Sequence, residues 1–110
     1  MITGNIATIV GLIKVKSPST KIFVISVLPS NDNAGKVFPA VFGKNKIVRQ
    51  VDQELQNNAE AQGFTFVDLA SRLADESGNL SMKYARPDGL HLNKDGYTLA
   101  IELMKNKGYL

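Results

Sequence analysis

An aspartate and the chain's single histidine stand three residues apart in the segment RPDGLHLNKDGY, residues 86–97. A histidine can accept and return protons near neutral pH, and a carboxylate bonded to one ring nitrogen fixes the tautomer that leaves the other nitrogen free. Asp88 and His91 are therefore a candidate acid–base pair. The residues alone leave a second interpretation open, in which His91 is a surface histidine and Asp88 is a turn carboxylate.

Other chemistries find less support in the composition. The chain has no cysteine, which excludes a thiolate nucleophile and a disulfide. One histidine without cysteine also gives too few ligands for a transition-metal site, and nothing implies a cofactor. The net charge of +3 comes from scattered lysines without interleaved aromatic residues, which disfavours nucleic acid as a partner. No apolar run approaches the ~20 residues of a membrane span.

The elements that would position the pair alternate between helix and strand. Four isoleucines at helical spacing predict an amphipathic helix that ends near Ser17 and Pro18, with one face formed by Ile2, Ile6, Ile9 and Ile13. Residues 21–28 (KIFVISVL) and 64–69 (FTFVDL) are short and rich in apolar residues, which is typical of buried strands of a parallel sheet.

Two further helices are indicated by their apolar stripes. The first carries Ile47 or Val48, Val51, Leu55 and Ala59, with Asn45 as a possible N-cap and Gly63 as its C-terminal stop. The last begins at Lys94 behind an Asn93 cap and buries Leu99, Ala100, Leu103 and Met104. Residues 29–43 predict a long loop that Phe38, Val41 and Phe42 would fold down, and Ser77, Gly78 and Asn79 predict a turn.

This order, helix-strand-helix-strand-helix, favours an α/β layer on two parallel strands. Two strands alone do not make a stable sheet, and a strand that is apolar on both faces needs a hydrogen-bonded neighbour on each edge. The edge of residues 21–28 that residues 64–69 do not cover should therefore pair with another polypeptide. That partner would be an N-terminal half of the domain or a second copy of this chain.

The residues also resemble a known family, the SGNH hydrolases, also called GDSL esterases and lipases, especially the platelet-activating-factor acetylhydrolase type. The segment DGLHLNKDGY is similar to the family's last block, an Asp-x-x-His followed by a helix. Residues 2–29 resemble the family's helix and fourth strand ending in Leu-Pro, and residues 63–80 resemble its fifth strand and following turn. The resemblance covers essentially the whole chain.

The resemblance implies a flavodoxin-like three-layer α/β sandwich, present here in part. Residues 1–110 would be the C-terminal portion of a single SGNH hydrolase domain. It also implies a serine esterase acting on an acyl or acetyl ester of a small molecule, a lipid or a sugar, with Asp88 orienting the imidazole and His91 as the general base. The family's Gly-Asp-Ser nucleophile block and its Gly and Gly-x-Asn-Asp oxyanion blocks do not occur in this sequence.

A serine of this chain could replace the missing nucleophile. Ser30 is the best placed, because ligands of open α/β sheets bind beyond the carboxyl ends of strands, but an ordinary Asn-rich loop is the favoured interpretation. Arg86 is likewise interpreted as a solvated loop charge rather than a substrate ligand. An alternative to the esterase is a non-catalytic remnant that folds by self-association through its exposed strand edge.

Overall fold

The computed structural model of the chain describes residues 2–41 and 43–110, apart from the side chains of Ile2 and Val41. Within these residues the elements follow one another in a regular alternation. In chain order they are α1 (Ile2–Lys16), β1 (Phe23–Ile25), α2 (Asp32–Val37), a 3-10 helix (Pro39–Val41), α3 (Asn45–Gln62), β2 (Thr65–Val67), α4 (Ala70–Leu73) and α5 (Lys94–Asn106).

The two strands form a parallel pair in which Phe23 faces Thr65 and Ile25 faces Val67. Successive strand residues point to opposite faces, so Phe66 and Val67 enter different layers. Phe66 packs in a cluster centred on Val10 of α1 and Leu55 of α3. Val67 packs instead against α5 through a cluster that includes Ala100 and Leu103. The predicted α/β arrangement, with helices on both faces of two parallel strands, is confirmed.

Helix α1 has the predicted end, but its predicted face is only partly buried: Ile6 packs in the cluster around Val10, and Ile9 does not. Thr3 and Val10 are buried, whereas Ile9 of the isoleucine stripe is 52% exposed. Leu12 and Val15 are exposed as well. The prediction was wrong for Ile9 because apolar residues lie all around this helix, so spacing alone could not fix the centre of the side that meets the rest of the chain.

Both strands are shorter than predicted, and β1 is not buried on both faces. The ladder to β2 ends with Ser26, whose N–H donates to Val67 O, and the N–H of the next residue, Val27, donates to the Asp52 carboxylate at 2.7 Å. Burial raises the pKa of that carboxyl above its usual value. Phe23 and Ile25 are 39% and 47% exposed, because no described element covers their face of the sheet completely.

The predicted loop at residues 29–43 contains α2 and the 3-10 helix, so that prediction was wrong for its central part. Asn31 caps α2 by accepting a hydrogen bond from Asn33 N–H at 3.0 Å. Phe38 is exposed rather than folded down, and Phe42 and the side chain of Val41 lie outside the described residues.

Of the four other predicted end and turn signals, three are confirmed. Gly63 ends α3 with φ 80°, Asn93 caps α5, and the turn at Gly78 has φ 82°. The prediction for Asn45 was wrong, because Lys44 occupies the cap position of α3 without a side-chain hydrogen bond. No helix among the described residues combines the length and apolarity that crossing a bilayer requires.

Candidate active site

Asp88 and His91 lie side by side on the loop that precedes α5. Asp88 Oδ2 is 2.6 Å from His91 Nδ1, so the predicted contact between a carboxylate oxygen and this ring nitrogen is confirmed. A neutral imidazole in this contact carries its proton on Nδ1, which leaves Nε2 as the acceptor. The His91 side chain is 60% exposed, and none of the described residues forms a hydrogen bond with Nε2. The arrangement therefore presents a basic nitrogen to the surface.

The second carboxylate oxygen of Asp88 is held by the backbone. Asp88 Oδ1 accepts hydrogen bonds from Leu90 N–H at 2.9 Å and from His91 N–H at 3.0 Å. The hydrogen bond from Leu90 N–H lowers the pKa of Asp88 most, followed by the contact with the His91 ring and the bond from His91 N–H. Together they bring the pKa to about 2. Both sequence interpretations of Asp88 therefore apply. Its Oδ1 is bonded to the backbone as in a turn, and its Oδ2 is bonded to the imidazole. The carboxylate stays ionised across the pH range in which a histidine titrates.

Backbone bonds close the loop around the pair. Arg86 N–H donates to His91 O at 2.8 Å, and Gly89 N–H donates to Arg86 O at 2.9 Å. Gly89 has φ 70°, a left-handed conformation that favours glycine. Ala85 and Leu92 form an isolated antiparallel bridge just outside these bonds. The loop is therefore a closed turn with its ends tied together.

Asn93 joins this loop to α5. Its side-chain oxygen accepts from Gly96 N–H at 2.9 Å, and its amide donates to the carbonyls of Lys83 and Ala85 at 2.9 and 3.3 Å. Sequence analysis found the capping role of Asn93 but not the two donated bonds, since these depend on where residues 83–85 pass. The helix start and the histidine loop are one hydrogen-bonded unit.

Asn31 is a further supporting residue that sequence analysis missed. Its N–H donates to Gly89 O at 3.0 Å, and its side-chain amide donates to Leu80 O at 3.3 Å. A Cβ on Gly89 would lie 2.0 Å from Asn31 Oδ1, so the loop packs directly on this side chain. The available signal was an Asn one residue ahead of a short helical segment, which the loop prediction obscured.

Ser30 is not joined to the pair. Its hydroxyl lies 3.4 Å from Asn45 Oδ1, its N–H donates to the same oxygen, and its carbonyl accepts from Asn45 Nδ2 at 2.7 Å. No hydrogen bond between Ser30 and His91 occurs in the described part of the chain. Asn45 thus ties the segment after β1 to the start of α3, which is why it does not cap that helix. Arg86 is exposed on the surface of the histidine loop.

A comparison with models of protein families identifies the family of this chain. Residues 1–99 match the model of the GDSL-like lipase/acylhydrolase family. The chain belongs to this family. The matched residues include Asp88, His91 and the elements on both faces of the sheet. The resemblance stated from the sequence is confirmed.

Several solved structures are similar to the chain over nearly all of its length. A candidate platelet activating factor from Streptococcus pneumoniae matches with a TM-score of 0.82 and 28% identity, over 96% of this chain and 49% of its own. A candidate acylhydrolase from Bacteroides fragilis matches with a TM-score of 0.81 and 25% identity, over 98% of this chain and 51% of its own. A GDSL-like lipase from Bacteroides thetaiotaomicron, with a TM-score of 0.79 and 24% identity over 96% of this chain and 49% of its own, supports the fold.

A curated relative, the N-acylneuraminate cytidylyltransferase of Escherichia coli O18:K1:H7, is 34% identical over 87 residues, which are 79% of this chain and 18% of that protein. The chain spans less than a fifth of this relative and about half of the solved structures. The transferase activity in the relative's name is therefore not carried over to this chain.

Proposed function

We propose that this chain supplies the acid and the base of a Ser-His-Asp triad in an ester hydrolase, as the C-terminal portion of a GDSL-type domain. The observation that supports the proposal is the 2.6 Å contact between Asp88 Oδ2 and His91 Nδ1. It leaves Nε2 at the surface, where it can take the proton of a serine hydroxyl. Membership of the acylhydrolase family agrees with that chemistry.

In this proposal, each residue has a separate role in acyl transfer. His91 Nε2 removes the proton from the nucleophile as its oxygen attacks the ester carbonyl, and it returns that proton to the leaving alcohol. Asp88, ionised because its pKa is about 2, stabilises the imidazolium that forms between these two steps. The second half of the reaction repeats the cycle with water as the nucleophile.

The nucleophile and the oxyanion donors come from outside the described residues in this proposal. Ser30, the sequence candidate within the chain, has its hydroxyl directed to Asn45. A missing oxyanion donor alone lowers acyl-transfer rates by ~10²–10³. The pair therefore needs a complementing half of the domain for turnover, and the substrate is an acyl ester whose alcohol is a small molecule, a lipid or a sugar.

The experiment joins this chain, through a flexible linker ahead of α1, to the half of the Streptococcus pneumoniae structure that it does not cover. We expect the fusion to hydrolyse p-nitrophenyl acetate. Asp88→Asn should lower kcat by ~10⁴, the loss seen when the triad aspartate of a serine protease is replaced, and His91→Ala should remove the activity. Asp95→Asn, an exposed carboxylate in the first turn of α5, is the matched control and should change little.

Full activity of the His91→Ala fusion would refute the proposed role. The alternative, a non-catalytic remnant that self-associates, predicts no activity in the chain or in the fusion. Turnover by the chain alone that disappears in both His91→Ala and Ser30→Ala would place the nucleophile within this chain and would contradict its supply from a complementing half.

A further inference from the structure

A cavity lies between α2 and the segment that leads into the histidine loop, residues 86–91. Its volume is about 310 Å³, at the lower end of the roughly 300–1,000 Å³ of small-molecule sites. The residues that line it are Asn31, Asn33, Met82, Ala85, Arg86 and Pro87. Because Asn31 N–H donates to Gly89 O at 3.0 Å, the wall supplied by α2 is hydrogen-bonded to the loop. The cavity is therefore held in place beside the loop.

The cavity is close to the candidate acid–base pair. Pro87 directly precedes Asp88 in the chain, and Asp88 Oδ2 is 2.6 Å from His91 Nδ1. Since consecutive Cα atoms are about 3.8 Å apart, Pro87 Cα lies within roughly 10 Å of that ring nitrogen. A ligand of roughly five or six heavy atoms, at about 1.5 Å per bond, extends from the histidine to the cavity.

The role of the histidine selects the part of an ester that lies nearest to this loop. In the proposed function, His91 Nε2 returns a proton to the leaving alcohol, so the alcohol oxygen must come within about 2.6–3.2 Å of that nitrogen. The carbonyl oxygen of the ester faces the oxyanion donors instead, and the proposed function places these outside the described residues. The alcohol portion is therefore the part of the ester beside the histidine loop.

The walls of the cavity combine carbon atoms with one positive charge. Met82, Ala85 and Pro87 present apolar atoms, and the Met82 side chain, 73% exposed, is not used by the core. Arg86 is the one charged residue among the described residues that line the cavity, and it forms no ion pair within the described part of the chain. A guanidinium binds carboxylate and phosphate groups through paired N–H donors. A matching ligand has a carbon skeleton and a negatively charged group.

We propose that this cavity binds the alcohol portion of the ester substrate, and that this alcohol carries a carboxylate or phosphate group paired with Arg86. Met82, Ala85 and Pro87 contact its carbon skeleton. The proposal thus selects a negatively charged alcohol among the small molecules, lipids and sugars that the proposed function leaves open. It makes Arg86, interpreted from the sequence as a solvated loop charge, a specificity-determining residue. The inference rests on the proposed function for the statement that the ligand is the alcohol of an ester.

Binding to the chain tests the cavity without turnover. In NMR titrations, m-hydroxybenzoate should shift the amide resonances of Asn33, Ala85 and Arg86 and should bind about three- to fivefold more tightly than phenol. Arg86→Gln should remove this preference, whereas the control Lys83→Gln, an exposed cation that does not line the cavity, should retain it. Met82→Ala should weaken both ligands by about threefold. Glycerol phosphate in place of m-hydroxybenzoate, against glycerol, distinguishes a phosphate from a carboxylate.

Turnover by the fusion described above tests the assignment to the alcohol. The ratio of kcat/KM for m-acetoxybenzoate to that for phenyl acetate should fall about three- to fivefold in Arg86→Gln and stay unchanged in Lys83→Gln. An unchanged ratio in Arg86→Gln would overturn the inference and leave the proposed function standing. Equal binding of inorganic phosphate and glycerol phosphate, with no preference for m-hydroxybenzoate over phenol, would overturn it as well. Selective binding without hydrolysis would refute the proposed function and support the anion preference of the cavity.

Discussion

Replacing Gly89 by alanine should destabilise the chain through the contact that braces the histidine loop. Gly89 has φ 70°, and an added Cβ would lie 2.0 Å from Asn31 Oδ1 and 2.6 Å from Ala34 N. The second atom belongs to the backbone of α2, so a side-chain rotation cannot relieve the clash. The segment from Asn31 to Ala34 and the loop must separate.

The expected magnitude follows from two contributions. An alanine in the left-handed region costs roughly 1–2 kcal/mol. Separation of the segments also weakens the bonds of Asn31 to Gly89 O and Leu80 O, at ~0.5–1.5 kcal/mol each. We expect Gly89→Ala to lower the free energy of unfolding by about 2–5 kcal/mol, the upper end applying if both bonds are lost.

Gly108→Ala is the matched control, because Gly108 has φ 77° but an added Cβ there meets nothing within 4 Å. It should show the conformational contribution alone, roughly 1–2 kcal/mol or less. Urea unfolding followed by circular dichroism measures both variants, and the midpoint of Gly89→Ala should be lower than that of Gly108→Ala by about 0.5 M or more. Equal midpoints would refute the reasoning.

A double variant locates the contact. Asn31→Ala removes the atom at 2.0 Å but leaves the backbone nitrogen at 2.6 Å. The combined loss of Gly89→Ala and Asn31→Ala should therefore be smaller than the sum of the single losses, without full relief. Strict additivity would mean that the two residues do not act on each other.

Three further outcomes are expected. The pKa of Asp88 is lowered from 3.8 to about 2, so its ionised carboxylate stabilises the fold above pH 4, and this contribution is lost as the pH falls toward 2. Asp88→Asn should therefore flatten the pH dependence of the unfolding free energy over that window, and the carboxyl carbon resonance of Asp88 should titrate near pH 2. Asn93→Ala should lower the free energy of unfolding by about 1–2 kcal/mol in urea titrations, because the cap of α5 and two donated bonds disappear together; an unchanged midpoint would contradict the bracing role. Ser26→Ala should lower the free energy of unfolding by about 1–3 kcal/mol in thermal unfolding, because the buried Ser26 hydroxyl accepts from Leu69 and Ala70 N–H and alanine leaves the Ala70 donor without that acceptor. The control Ser77→Ala, on the exposed turn, should leave the free energy of unfolding unchanged.

Residue patterns predicted where helices and strands begin and end better than they predicted which residues pack against each other. The ends of α3 and α5 were readable because Gly63 and Asn93 act within a few residues of their own position. The buried side of α1 was not, since apolar residues surround the helix and the choice between Val10 and Ile9 depends on where α3 lies. Asn45 failed as a cap for the same reason, because its partners Ser30 and Asn79 are distant in sequence.

In the candidate site, too, contacts between residues close in sequence were predictable and contacts between distant residues were not. Every hydrogen bond that fixes Asp88 comes from Leu90 or His91, within three residues, so the Asp-x-x-His spacing carries the geometry of the pair by itself. The bracing by Asn31, 58 positions from Gly89 in the numbering, depends on the fold and left no comparable signal.

This locality determines which part of the candidate site the chain can form by itself. A pair built from neighbouring residues needs only its own loop and the attachments of that loop to α2 and α5, all of which the described chain contains. The nucleophile of a triad, in contrast, comes from another part of the fold, and among the described residues Ser30 is bonded to Asn45 rather than to His91. The orientation of His91 by Asp88 should therefore already exist in the isolated chain, whereas the proposed turnover needs a nucleophile from outside the described residues. In the proposed function, preorganisation and activity are separable, since the first is encoded within a few residues and the second requires a nucleophile from outside the described residues.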